Sequence, residues 1–128
     1  SAINKNYDFI LVNYANPDML GHTGNLNATI ESLKGIDKLL EYIVNYSIDN
    51  FYKVFILSDH GNCDEMLTEN DEMITTHSLS KVPFIITDEN IKLKKNGDLT
   101  NVAPTLLDYM DIAMPKEMED AKSLIVEE

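Results

Sequence analysis

An α/β fold built on a largely parallel sheet flanked by helices is predicted by three observations. Residues 7–14 and 52–58 are short, nearly continuous apolar runs of the kind that form strands covered on both faces. A long segment of helical periodicity separates them, and strand, helix, strand within one sheet demands a right-handed parallel crossover. A third apolar run, at residues 82–87, follows a long polar connection.

The first run reads Tyr-Asp-Phe-Ile-Leu-Val-Asn-Tyr and enters a site loop at Ala15. Pro17, Gly21 and Gly24 then break regularity, and Asn27 is the expected N-cap of the helix that follows. Ile30, Leu33, Ile36, Leu40, Ile43 and Val44 recur at three- and four-residue steps, with Glu31, Lys34, Asp37, Lys38 and Glu41 between them, until a break near Asn50. Gly35 within this helix costs about 1 kcal/mol relative to alanine, so it is expected to mark a close approach of helix to sheet. Residues 59–81 are rich in Asp, Glu, Asn and Thr and are too long for an idle connection, which predicts a functional loop.

Pro83 limits hydrogen bonding at the start of the third strand. Residues 88–98 read as a surface turn in which Lys92, Lys94 and Lys95 are solvated, and a helix is expected over 102–110. Pro104 is tolerated there because the first helical turn has no partner for its N–H. An acidic tail after Pro115 carries 124–126, which would add an edge strand or dock loosely. Without repeats, low-complexity tracts or a linker, the 128 residues suit a single domain.

The formal charge of −12, from 22 acidic and 10 basic residues, leaves no basic stripe to neutralise phosphates along a polymer, so nucleic acid is excluded as a partner. The single Cys63 precludes an internal disulfide. No apolar stretch reaches the roughly 18 residues that span a bilayer, and the N-terminus lacks a secretory pattern. A cytoplasmic protein without membrane contact is the expectation.

Three histidines stand beside chemistry-bearing neighbours. His60 follows Asp59 where the second apolar run breaks, His22 lies four residues after Asp18, and His77 sits in Thr75-Thr76-His77-Ser78. Imidazole and carboxylate are good ligands for zinc, manganese and related ions, and one ion commonly takes three or four such groups from separate loops. A helical turn or tight loop would point Asp18 and His22 at one ion. Asp59 and His60 would diverge on a continuing strand, whereas a loop with Gly61 at its exit aims both inward. Taken singly, each of these residues is better explained by capping or packing; their joint placement reverses that and favours a divalent-metal site. Cys63 has no sequence-local base to activate it, and Ser58 is explained by its place at a strand end.

The strings Asn16-Pro17-Asp18-Met19-Leu20-Gly21-His22-Thr23-Gly24 and Ser58-Asp59-His60-Gly61-Asn62, with Thr76-His77-Ser78 and Val82-Pro83-Phe84, carry a family likeness. So do Asn101-Val102-Ala103-Pro104-Thr105-Leu106-Leu107 and Pro115-Lys116-Glu117-Met118. In this order they resemble the cofactor-independent (2,3-bisphosphoglycerate-independent) phosphoglycerate mutases. The resemblance implies an alkaline-phosphatase-like three-layer sandwich, here a partial domain: residues 1–128 as the C-terminal portion of the metal-binding, phosphatase-like domain. It further implies two divalent ions, usually manganese, and glycolytic interconversion of 3-phosphoglycerate and 2-phosphoglycerate through a transiently phosphorylated serine.

Carried over position by position, Asp18, His22 and His77 would hold one ion, and Asp59 and His60 the other. The nucleophilic serine and a further aspartate ligand belong in the family to segments N-terminal to this sequence, as do the arginines and lysine that hold substrate. The chain contains no arginine, although phosphoryl transfer needs positive charge at the equatorial oxygens. The fragment is therefore expected to supply metal ligands without turning over alone.

Phosphopentomutases, sulfatases and phosphodiesterases share the superfamily's metal framework, but the string around His22 argues against them. A non-catalytic metal-binding module is the remaining alternative. A sheet edge left open would favour self-association, or local disorder over 61–80.

Overall fold

The computed structural model describes residues 1–118 and 120–126, so the acidic positions 119, 127 and 128 of the predicted tail lie outside the described residues. Contacts divide the chain into two units, Ser1–Thr87 and Asp88–Glu128. Helices and a short sheet together agree with the expected α/β class.

In the first unit, a 3₁₀ turn at Ile3–Lys5 is tied down when the Tyr46 hydroxyl donates to Asn4 Oδ1 at 2.6 Å. The Tyr52 hydroxyl donates to the carbonyl of Tyr7 at 2.7 Å. Residues 7–14, expected as a doubly covered strand, form no ladder among the described residues, and Phe9, Leu11 and Val12 are more than half exposed. A strand needs a neighbour for its backbone groups, and the two strands of the sheet pair with each other instead.

Helix α1 spans Asn16–Gly21, with Pro17 in its first turn, where a missing N–H costs nothing. Gly24, at a φ of +69°, turns the chain into α2, Leu26–Asp49. Its N-cap is Asn25, two residues before the Asn27 that the sequence suggests. The Asn25 side chain accepts the Ala28 N–H at 3.0 Å, and its carbonyl accepts both the N–H and the hydroxyl of Thr29 at 3.0 Å. The left-handed turn at Gly24 ends the preceding structure early enough for this earlier start. α2 packs against α1 and buries Thr29 and Ser47. Gly35 does not mark the expected close approach: a Cβ there would meet nothing within 4 Å.

Strands β1, Phe55–Leu57, and β2, Phe84–Ile86, are shorter than the apolar runs that contain them and pair antiparallel, Ile56 opposite Ile85. The parallel crossover expected between residues 7–14 and 52–58 is therefore not formed among the described residues. A parallel connection from β1 to β2 would need a crossover element of a dozen or more residues, usually a helix. The polar segment between them instead doubles back through bridges at Leu67–Met73 and Gly61–Ser78. Asp71, at a φ of 60°, makes the inner turn; Met66 is buried, and its carbonyl accepts the Ile74 N–H at 2.8 Å.

In the second unit, Asp98 and Asn101 form a reciprocal capping box around the 3₁₀ turn Leu99–Asn101, which leads into α3, Val102–Tyr109. Pro104 and Thr105 are buried in its first turn. The Thr105 hydroxyl donates to the Asn101 carbonyl at 2.7 Å and accepts the Leu124 N–H at 2.9 Å. Leu93 and Ile125 form an antiparallel bridge, so residues 124–126 do pair. Lys94 is accordingly not only a solvated turn residue; its Nζ donates to the Ser123 carbonyl at 2.8 Å.

Candidate metal centre

Local structure brings all five predicted ligands to one place. α1 sets Asp18 and His22 one turn apart, with His22 Nε2 3.2 Å from Asp18 Oδ1. β1 ends at Leu57, and the Ser58 hydroxyl donates to the His60 carbonyl at 2.7 Å, so Asp59 and His60 lie on a turn rather than on a continuing strand. His60 Nε2 then lies 3.7 Å from Asp18 Oδ1 and equally far from Asp59 Oδ2. The Gly61–Ser78 bridge returns the loop so that His77 stacks on His60, ring centroids 3.6 Å apart. His77 Nε2 lies 3.5 Å from Asp18 Oδ1 and 3.2 Å from His22 Nε2. Asp18 Oδ1 is thus the hub that all three imidazoles face, whereas Asp59 approaches the cluster through His60.

The glycine after His60 serves a purpose other than the sharp exit expected of it. Its φ is not in the left-handed region, but a Cβ there would lie 2.2 Å from Ser78 Oγ. A side chain on residue 61 would therefore displace Ser78 Oγ and Asp64 Oδ1 and disturb the hydrogen bond between those two residues.

Outer contacts orient the rings. His22 Nδ1–H donates to the Thr75 carbonyl at 2.7 Å, and His60 Nδ1–H to the Gly61 carbonyl at 3.3 Å. Each bond places a proton on Nδ1 and turns Nε2 toward the cluster, the orientation that metal-ligating histidines use. Two further groups escape a search for ligand types. Asn62, buried, donates through Nδ2 to Asp18 Oδ1 at 2.8 Å, and the Thr75 carbonyl is a backbone atom with no side-chain signature. Asn62 does stand inside the Asp-His-Gly-Asn string, and a buried amide beside a predicted ligand is the signal that finds it.

Cys63 donates its thiol proton to the Pro17 carbonyl at 3.0 Å. Burial, followed by the nearby charges of Asp18 and Asp64, pushes this thiol above its ordinary range, opposite to what a nucleophile needs. Hydroxyls of Ser80 and Ser78 hold the Asp64 carboxyl below its usual value, and the Ser78 contact measures 2.8 Å.

The donor chemistry fits a cation. One ligand atom each from Asp18, His60 and His77 lies within 4.8 Å of the others. Ligands about 2.0–2.2 Å from a shared ion stand no more than roughly 4.4 Å apart, so small side-chain adjustments suffice. Nitrogen and carboxylate oxygen without thiolate suit zinc, manganese and related divalent ions.

A family model described as the Metalloenzyme superfamily matches residues 1–114. The chain is 52% identical over 125 residues to the 2,3-bisphosphoglycerate-independent phosphoglycerate mutase of Metamycoplasma hominis, covering 96% of this chain and 24% of that protein. The enzyme of the same name from Antithamnion sp. is 47% identical over 129 residues, 97% of this chain and 25% of that protein. Among solved structures, Leishmania mexicana phosphoglycerate mutase at low cobalt concentration superposes with a TM-score of 0.85 at 27% identity, over 99% of this chain and 26% of that one. The chain thus spans about a quarter of the length of the curated relatives it matches. The fold is the phosphoglycerate mutase fold, present as a partial domain.

Proposed function

Because the chain belongs to the Metalloenzyme superfamily, we propose that it is the C-terminal portion of the metal-binding domain of a 2,3-bisphosphoglycerate-independent phosphoglycerate mutase. The intact enzyme would be cytoplasmic and glycolytic, interconverting 3-phosphoglycerate and 2-phosphoglycerate through a phosphoserine at a two-metal site. The observation that carries this reading is the convergence of three imidazole Nε2 atoms on Asp18 Oδ1, at 3.2, 3.5 and 3.7 Å. Identity to mutases of that name along nearly the whole chain supports the substrate assignment.

In this reading, which follows the family resemblance, Asp18, His22 and His77 would hold one divalent ion and Asp59 and His60 would contribute to the other, with His60 Nε2, 3.7 Å from both Asp18 Oδ1 and Asp59 Oδ2, between the two. Manganese is the proposed metal. Two such ions, when bound, supply positive charge to the phosphoryl oxygens and lower the pKa of a serine nucleophile. The chain's own part is to present imidazoles, of which His22 and His60 commit their Nδ1 protons to the carbonyls of Thr75 and Gly61, and a carboxylate bonded to Asn62. Lacking arginine and any segment assigned as nucleophile, these residues bind metal without completing the transfer.

Calorimetric manganese titration of the chain beside an Asp18→Ala, His77→Ala double variant tests the ligand assignment. Binding by the parent that is lost in the variant is expected, and undiminished binding in the variant refutes it. A mutase assay at saturating manganese should find no turnover by the chain alone. Appreciable turnover would sink the claim that the rest of the enzyme is needed.

A further inference from the structure

We propose that Asn62, admitted by the absent side chain of Gly21, is a positioning residue that holds the Asp18 carboxylate in its ligating orientation; this rests on the metal-site reading above. Asn62 is only 6% exposed, and its Nδ2–H donates to Asp18 Oδ1 at 2.8 Å. That oxygen is the one all three imidazoles face. A carboxylate oxygen accepts along two lone-pair directions, so one is committed to the amide and the other remains for the imidazole side. The terminal torsion of aspartate is intrinsically broad and Asp18 is 38% exposed, so the amide restrains the carboxylate from the side opposite the imidazoles, of which His22 Nε2 stands nearest at 3.2 Å.

Space for the amide exists because residue 21 is glycine. A Cβ there would lie 2.0 Å from Asn62 Oδ1 and 2.8 Å from its Cγ. Gly21 belongs to α1 and does not adopt positive φ, so the requirement is for room rather than for backbone freedom. The neighbouring Cys63 thiol clamps the same loop to the same helix through the Pro17 carbonyl, which makes Asn62 a fixed strut. Outer partners that orient metal ligands typically change affinity about 10- to 100-fold when removed.

The test compares manganese affinity, by electron paramagnetic resonance titration, with melting temperature in the parent, Asn62→Ala, Gly21→Ala and the double variant. Asn62→Ala should bind manganese about 10- to 100-fold more weakly. Gly21→Ala should lose both affinity and thermal stability, because its methyl displaces the amide. In the double variant that methyl enters the space the amide vacated, so melting temperature recovers while affinity stays low. A double variant that regains affinity together with stability would reduce Asn62 to packing and overturn the proposal. Unchanged affinity in Asn62→Ala would also overturn it, while leaving the metal site standing.

A second readout needs no metal: the Asn62 side-chain amide resonances of the metal-free chain should shift and exchange faster in Asp18→Ala. If they respond but the parent takes up no manganese, the contact is real, the metal-site reading fails, and the positioning role fails with it.

Discussion

Gly35→Ala should raise the stability of this chain, by an amount that follows from where the glycine sits. Residue 35 lies inside the 24-residue helix α2, Leu26–Asp49, and is exposed. Glycine in a helix interior costs about 0.8–1.0 kcal/mol relative to alanine, because its backbone loses more freedom on folding. That gain is realised only if the new methyl meets no obstacle, and a Cβ at this position has nothing within 4 Å. For a chain of 128 residues, about 1 kcal/mol corresponds to a rise of roughly 4 °C in melting temperature. Thermal unfolding followed by circular dichroism, run on parent and variant together, measures it. An unchanged or lower melting temperature would mean that something packs against residue 35 after all, as the glycine's position in the sequence suggests, and would refute the reasoning.

Asn25→Ala removes the acceptor of the Ala28 N–H and should destabilise α2 by about 1 kcal/mol, whereas Asn27→Ala should be close to neutral; denaturant unfolding of both variants distinguishes the two candidate caps. Tyr109 is pushed up to about 12, first by burial and then by its hydrogen bond to Asp88 and the charge of that carboxylate. Its hydroxyl donates to Asp88 Oδ2 at 2.7 Å. Because the folded value lies above the ordinary 10.0, the associated stabilisation is complete below about pH 10 and fades as pH rises through 12. A rapid-mixing phenolate titration should show an ionisation near pH 12 that is missing in Tyr109→Phe; a step there that persists in the variant would rule out the contact.

How much was legible follows from what each signal encodes. The 3.6-residue recurrence from Ile30 to Val44 is a local property, and α2 appears where that recurrence lies. Its start lies two residues before the one the sequence suggests, because Asn25 and Asn27 are equally good caps in composition and only the turn at Gly24 selects between them. Apolar runs marked β1 and β2 but not their direction, since an apolar run carries no orientation; the doubling-back of the polar loop decides that they run antiparallel. The run at 7–14 has strand composition but no strand partner among the described residues, and pairing is a long-range condition that composition cannot contain.

The sequence by itself determined the class of the fold, the helix that fills much of the first unit, and the five side chains with ligand chemistry at Asp18, His22, Asp59, His60 and His77. Tertiary structure decided how they meet: Asp18 as the common hub, the His22 Nδ1 proton committed to the Thr75 carbonyl far along the chain, and Asn62 lodged against Gly21. The reason is physical. Residue types and their spacing fix what a group can donate or accept, but Asn62 and Asp18 stand 44 positions apart, and a contact at that separation exists only once the chain between them has folded.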